Sequence, residues 1–162
     1  MNSRRHSSDP GMPLNEDRRR SGEARPAVLI LAGSESDRPI VEKAEKVLAE
    51  AGVEYTFEVA SAHRTPDRVA ELARAAEGKG YRVVIAAAGL AAALPGVVAA
   101  HTRLPVIGLP VGAGPLKGMD ALLAIAMLPP GVPVATVGID AGANAGHLAL
   151  RILGGGHSPG EA

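Results

Sequence analysis

The fold class this chain predicts is α/β: an open parallel sheet of about five strands with helices on both faces, a three-layer sandwich of the flavodoxin-like or Rossmann-like kind. Three observations point there. Short β-rich runs alternate with helical patterns from Ala27 onward. The first run, Ala27 to Ala32 (AVLILA), is apolar without a break, as suits a strand covered on both faces. A hydrophobic content of 46% over 162 residues fits one domain with a sizeable core.

Each element has its own signature. After the first strand, Ile40, Val41, Ala44, Val47, Leu48 and Ala51 recur at helical spacing until Gly52 stops them. A second strand, Tyr55 to Ala60, leads to Thr65 and Pro66, read as an N-cap with proline at the first helical position. The helix that follows places Val69, Leu72, Ala73 and Ala76 on one face and ends at Gly78 and Gly80. A third strand spans Arg82 to Ala87, and an Ala-rich helix runs from about Ala91 to His101. The last two pairs are a strand at Pro105 to Leu109 with a helix from Leu116 to Met127, and a strand at Pro133 to Val137 with a helix from Ala141 to Leu153.

Composition narrows the function classes. Aromatics are 2% of residues, with no Trp, so the core is built from Ala, Val, Leu and Ile, and 20 glycines allow close approach at turns. The chain has no cysteine, which excludes disulfides, a thiolate nucleophile and Cys-based metal sites and makes the cytoplasm the default compartment. Residues 1–25 carry six Arg and four acids without an apolar segment, so they read as a disordered extension rather than a secretory or transit signal. Removing them leaves 11 basic and 13 acidic residues of the 17 of each, a balance that does not suggest nucleic acid. The stretch Val83 to Ala100 is broken by Gly89, Pro95 and Gly96, so no membrane span is expected. The expected organisation is an extension over 1–25, a catalytic domain over 26–153 and a disordered tail over 154–162.

Two runs carry chemistry. Ser61-Ala62-His63-Arg64-Thr65-Pro66 sets a proton carrier, an anion clamp and a helix start at a strand end, where parallel α/β sheets bind ligands. A strand-to-helix turn bearing a solvated basic pair is the plainer alternative. Gly33-Ser34-Glu35-Ser36-Asp37 follows the first strand and opens a helix whose free amides suit a phosphate, with Ser34 and Ser36 donating. Asp37 would repel a phosphate and suits a ribose hydroxyl or an amine, so a nucleotide-like ligand fits; the alternative is that Ser36 or Asp37 only caps the helix. The small-residue turn Ala86 to Gly96 could floor a tight, dry pocket, and Pro110 to Pro115 is a candidate lid. His6 and His157 fall in the expected tails and His101 and His147 on helices, which leaves His63 as the catalytic candidate. No His-x-x-x-His pair or carboxylate cluster is present, so no metal is expected.

Taken together, GSESD, SAHRTPD, the turn ending in Leu-Pro-Gly, PVIGLPV and LPPGVPVAT resemble the bacterial phosphoribosylaminoimidazole carboxylase catalytic subunits, the N5-carboxyaminoimidazole ribonucleotide mutase family of purine biosynthesis, over about Val28 to Leu153. The resemblance implies a flavodoxin-like fold, a homo-octamer, no cofactor, and a substrate supplied by an ATP-dependent N5-carboxyaminoimidazole ribonucleotide synthase. It implies His63 as the catalytic residue, Ser34, Asp37 and Arg64 as substrate contacts, and Ser36 and Ser61 as supporting phosphate ligands. The family pattern has a histidine where this chain has Ala93, a glycine where it has Leu90, and a glutamine where it has Met127 or Leu128; the chain also ends soon after the fifth helix. Three other readings stay open: direct carboxylation of aminoimidazole ribonucleotide, a synthase that carboxylates a nicotinate-derived ring, and a non-catalytic nucleotide-binding flavodoxin-like domain.

Overall fold

The computed structural model describes residues 27–154, so the extension over 1–25 and all of the tail after Gly154 lie outside the described residues. The strands are β1 (Val28–Ala32), β2 (Tyr55–Val59), β3 (Val83–Ala88), β4 (Val106–Pro110) and β5 (Ala135–Thr136). The helices are α1 (Arg38–Glu50), α2 (Pro66–Ala76), α3 (Leu94–His101), α4 (Met119–Ala126) and α5 (Gly142–Leu153), and a 3-10 turn over Glu35–Asp37 feeds α1. The sheet order is β2-β1-β3-β4-β5 with every pairing parallel, the flavodoxin-like order. The expected fold class is borne out.

The unbroken apolar runs are the central strands. Every residue of β1, β3 and β4 is buried, because helices cover both faces. Leu29, Leu31, Val84 and Ala86 pack with Val69, Leu72, Val98 and Ile125 from α2, α3 and α4. Val28, Ile30, Val83, Ile85 and Ile107 face Val41, Ala44, Leu48, Ala145 and Ala149 from α1 and α5. Edge strand β2 is only half-buried, and the Arg38 guanidinium lies 4.3 Å from the centroid of Phe57 on it.

Four expectations shift in detail. The third helix starts at Leu94 instead of Ala91, since Ala91 takes a left-handed φ of 53° and its carbonyl accepts from the Ala93 N–H at 2.7 Å in a turn. The fourth starts at Met119 instead of Leu116, because Lys117 and Gly118, at φ 49° and 89°, lie outside helical space. The fifth strand shrinks to Ala135–Thr136, which pair with Ile107 and Gly108. Thr65 stands at the N-cap of α2, but its hydroxyl donates to the Ser61 carbonyl and accepts from the Ser61 N–H, both at 3.1 Å, so it ties the turn and not the helix.

Candidate active site

The carboxyl ends of β1, β2 and β3 open into one cavity of about 390 Å³, and all six sequence-selected residues line it: Ser34, Ser36, Asp37, Ser61, His63 and Arg64. The turn after β3 supplies the opposite wall through Ala88, Gly89, Leu90, Ala91 and Ala93, with Ala113 added from the loop after β4. A wider groove of about 620 Å³ between α2 and α3 is lined by Asp67, Glu71, Arg74 and His101 but by none of the six sequence-selected residues. The convergence of an imidazole, a carboxylate, a guanidinium and three hydroxyls at the strand ends marks the smaller cavity as the candidate site.

The turn after β1 is held by its own side chains. The Ser34 hydroxyl accepts from the Ser36 N–H at 3.3 Å, and the Ser36 hydroxyl donates to it at 2.9 Å. Asp37 reaches back, its Oδ2 accepting from the Ser34 N–H at 3.2 Å, which completes a reciprocal capping box. The cap expected at Ser36 or Asp37 therefore falls to Ser34. Asp37 stands at the N-cap of α1 but makes no side-chain cap bond there.

Asp37 is 6% exposed. Burial raises its pKa above the usual carboxylate value, while the Ser34 N–H and the Ser36 hydroxyl pull it the other way. A raised carboxylate pKa means that the folded state holds the proton more tightly than the unfolded chain. The resulting stability is full below the ordinary aspartate range and is lost as pH rises through the raised folded value, so ionised Asp37 is a cost at neutral pH. Asp37→Asn keeps an acceptor for Ser34 and removes that cost. Thermal melts should show it at least as stable as the wild type at pH 7, with the advantage shrinking toward pH 4; a variant less stable at pH 7 would contradict the assignment.

The turn after β2 brings the other half. The Ser61 hydroxyl accepts from the Arg64 N–H at 3.2 Å, and Arg64 Nη2 donates to the Gly33 carbonyl at 3.2 Å, which joins the turn after β2 to the turn after β1. His63 is exposed at the cavity mouth, and its ring makes no hydrogen bond among the described residues. Gly89 explains the tight approach of the third wall: a Cβ there would lie 3.1 Å from Ala113 Cβ. Among the described residues no group of three or more His, Cys, Asp or Glu could hold a metal ion, and no helix is long and apolar enough to cross a membrane.

Sequence reasoning missed what holds the candidate lid. The Asp140 N–H donates to the Pro110 carbonyl at 2.9 Å, and its Oδ1 accepts from the Gly112 N–H at 2.8 Å. A single aspartate in an Ala- and Gly-rich turn gave no periodic or motif signal.

Fold and site together define a flavodoxin-like α/β protein with a polar ligand cavity at the carboxyl edge of its sheet. The model of the AIR carboxylase family matches residues 27–159, and the chain belongs to that family. It is 56% identical over 128 residues to the N5-carboxyaminoimidazole ribonucleotide mutase of Pyrococcus abyssi, covering 79% of this chain and 74% of that one. It is 53% identical over 129 residues to the same-named protein of Thermotoga maritima, covering 80% and 75%. The phosphoribosylaminoimidazole carboxylase of Schizosaccharomyces pombe is 53% identical over 128 residues, 79% of this chain but 23% of that protein. The crystal structure of Treponema denticola PurE superposes with a TM-score of 0.72 at 32% identity, covering 80% of this chain and 81% of that chain.

Proposed function

We propose that this chain is an N5-carboxyaminoimidazole ribonucleotide mutase of purine biosynthesis, an isomerase that moves a carboxylate from N5 to C4 of the substrate. The observation that carries the reading is the meeting of His63, Asp37, Arg64 and the three serines in one alanine-walled cavity. Protonated His63 gives its proton to the carbamate nitrogen; the N–C bond breaks with its electron pair on nitrogen, and carbon dioxide is released inside the cavity. The ring C4 attacks that carbon dioxide, and neutral His63 takes the C4 proton, which restores the starting imidazolium. One group suits both steps because the reference pKa of histidine lies near neutrality. Small apolar walls keep carbon dioxide beside C4 and water away.

Binding falls to the other residues. Arg64 and the Ser34, Ser36 and Ser61 hydroxyls hold the phosphate beside the helix start, and Asp37 accepts from ribose hydroxyls. No metal or organic cofactor takes part. Arg64→Ala should raise KM about tenfold or more while changing kcat little, since a guanidinium clamps an anion and exchanges no proton at neutral pH. A collapse of kcat at unchanged KM would contradict the clamp.

The deciding assay supplies either the N5-carbamate or aminoimidazole ribonucleotide with bicarbonate and follows the C4-carboxylated product. Turnover of the carbamate supports the mutase; turnover only of the free amine with carbon dioxide supports the carboxylase reading, and neither would leave a nucleotide-binding domain. The carbamate itself would come from an ATP-dependent N5-carboxyaminoimidazole ribonucleotide synthase, with both enzymes in the cytoplasm.

The chain assembles as a homo-octamer whose catalytic unit is residues 26–153. Support comes from the family likeness and from exposed Leu116, Met119, Leu123 and Met127 on and beside α4, an apolar stripe suited to burial against another subunit. Light scattering of the full chain should give a large closed oligomer. A monomer at micromolar concentration would contradict it.

A further inference from the structure

The loop between β4 and α4 walls the cavity yet has almost no regular structure of its own. It contributes Ala113 to the lining, and Gly114, Lys117 and Gly118 on it take left-handed φ values of 65°, 49° and 89°. Such a segment is held by what it touches. On the cavity side it meets the turn after β3, where a Cβ on Gly114 would lie 3.2 Å from Leu90 Cδ1. Behind it stands one residue outside the cavity, Asp140, bonded to the end of β4 at Pro110 and to the loop at Gly112.

Asp140 makes both bonds from an unfavourable backbone. Its φ of 56° is left-handed, a conformation that aspartate and asparagine tolerate better than most side chains and that still costs free energy. In that conformation the N–H meets the end of β4 and the carboxylate meets the loop two residues further on. The fit is close: a Cβ on Gly112 would come 2.7 Å from Asp140 Oδ2, and one on Gly118 would come 2.8 Å from Ile139 Cγ2. The turn after β5 and the loop after β4 interlock, and the charge-assisted bond at 2.8 Å is the polar part of that lock.

We propose that Asp140 is a positioning residue for the reaction: by pinning the loop after β4 through the Gly112 N–H, it keeps Ala113 against the cavity and so retains carbon dioxide between its release from nitrogen and its capture by carbon. The inference rests on the mutase reading above for its chemistry and on the contacts alone for its mechanics. Losing the pin leaves His63 and the binding groups in place. What changes is the fate of the intermediate, because a loosened loop lets carbon dioxide leave and water enter before C4 attacks. The amine, aminoimidazole ribonucleotide, is then released as a side product.

Asp140→Gly removes the carboxylate while relieving the left-handed strain, so it separates the bond from the backbone. Asp140→Asn keeps both an acceptor and tolerance of the conformation. With the carbamate as substrate, Asp140→Gly should raise the enzyme-dependent share of aminoimidazole ribonucleotide among the products severalfold, and Asp140→Asn should behave nearly as wild type. Amide hydrogen exchange over residues 111–118 should speed up about tenfold in Asp140→Gly, the size expected for losing one hydrogen bond to a charged acceptor. Gly112→Ala should reproduce the defect by pushing on the same contact, and adding Asp140→Gly to it should cost little more. A wild-type product ratio in Asp140→Gly, or a defect in Asp140→Asn as large as in Asp140→Gly, overturns the proposal. If the wild-type protein does not rearrange the carbamate, the mutase reading falls, and exchange over 111–118 still decides whether Asp140 holds the loop.

Discussion

His63→Asn should lower kcat by about a hundred- to ten-thousand-fold, roughly 3–5 kcal/mol of transition-state stabilisation, while leaving substrate affinity within a fewfold of wild type. Asparagine keeps part of the shape and some hydrogen bonding of the imidazole but cannot exchange a proton near neutral pH. The expected loss lies toward the large end for two reasons. One imidazole serves both proton steps, and His63 is the only histidine among the residues lining the cavity, where Ala93 fills the position before Leu-Pro-Gly with a methyl group. Rates would be measured with each carboxyl source, and binding by displacement of a labelled nucleotide. Turnover near wild type would remove His63 as the proton carrier and pass the role to Asp37, the carboxylate among the described residues lining the cavity.

Much of this architecture was legible because the signals are local. Unbroken runs such as AVLILA fix the buried strands, and glycine or proline punctuates the helices between them. The site was legible for the same reason: in a parallel sheet the residues just after each strand meet at one edge, so GSESD and SAHRTPD had to converge once the order β2-β1-β3 placed their strands side by side. What was not legible depends on contacts distant in sequence. The start of α3 slipped by three residues because Ala91 is drawn into a left-handed turn at the cavity wall, and an alanine carries no mark of that. The start of α4 slipped because the loop before it is shaped by the turn after β5, through Asp140 and Ile139. Asp37 does hold the N-cap position of α1, but the side-chain capping bonds centre on Ser34 one turn earlier, since the choice among Ser34, Ser36 and Asp37 rests on hydrogen-bond geometry that their order does not encode.

The pairing of α1 with α5 ties stability to the site and supports the second large effect. Gly142 and Gly146 lie four residues apart, on the face of α5 that meets α1. A Cβ on Gly142 would strike the Ile40 carbonyl oxygen and lie 3.1 Å from Lys43 Cβ; one on Gly146 would lie 2.9 Å from the Ala44 carbonyl oxygen and from Val47 Cβ. Backbone on the other side cannot swing away as a flexible side chain would, so the helices must part. Gly142→Val should therefore cost on the order of 3 kcal/mol, the upper range for overpacking, and lower the melting temperature by about 10 °C. Parting the helices at Ile40 also moves the start of α1, and with it the Ser34–Asp37 capping box, so KM should rise even in the fraction that folds. Gly78→Ala is the matched control. Its nearest neighbour is the Ala75 carbonyl oxygen at 3.7 Å, an ordinary contact, so its melting temperature and KM should stay close to wild type. A Gly142→Val protein that melts with the control would mean that α1 and α5 yield easily. An unchanged KM despite lost stability would mean that the phosphate-side turn is fixed by the sheet and its own capping box, without help from α5.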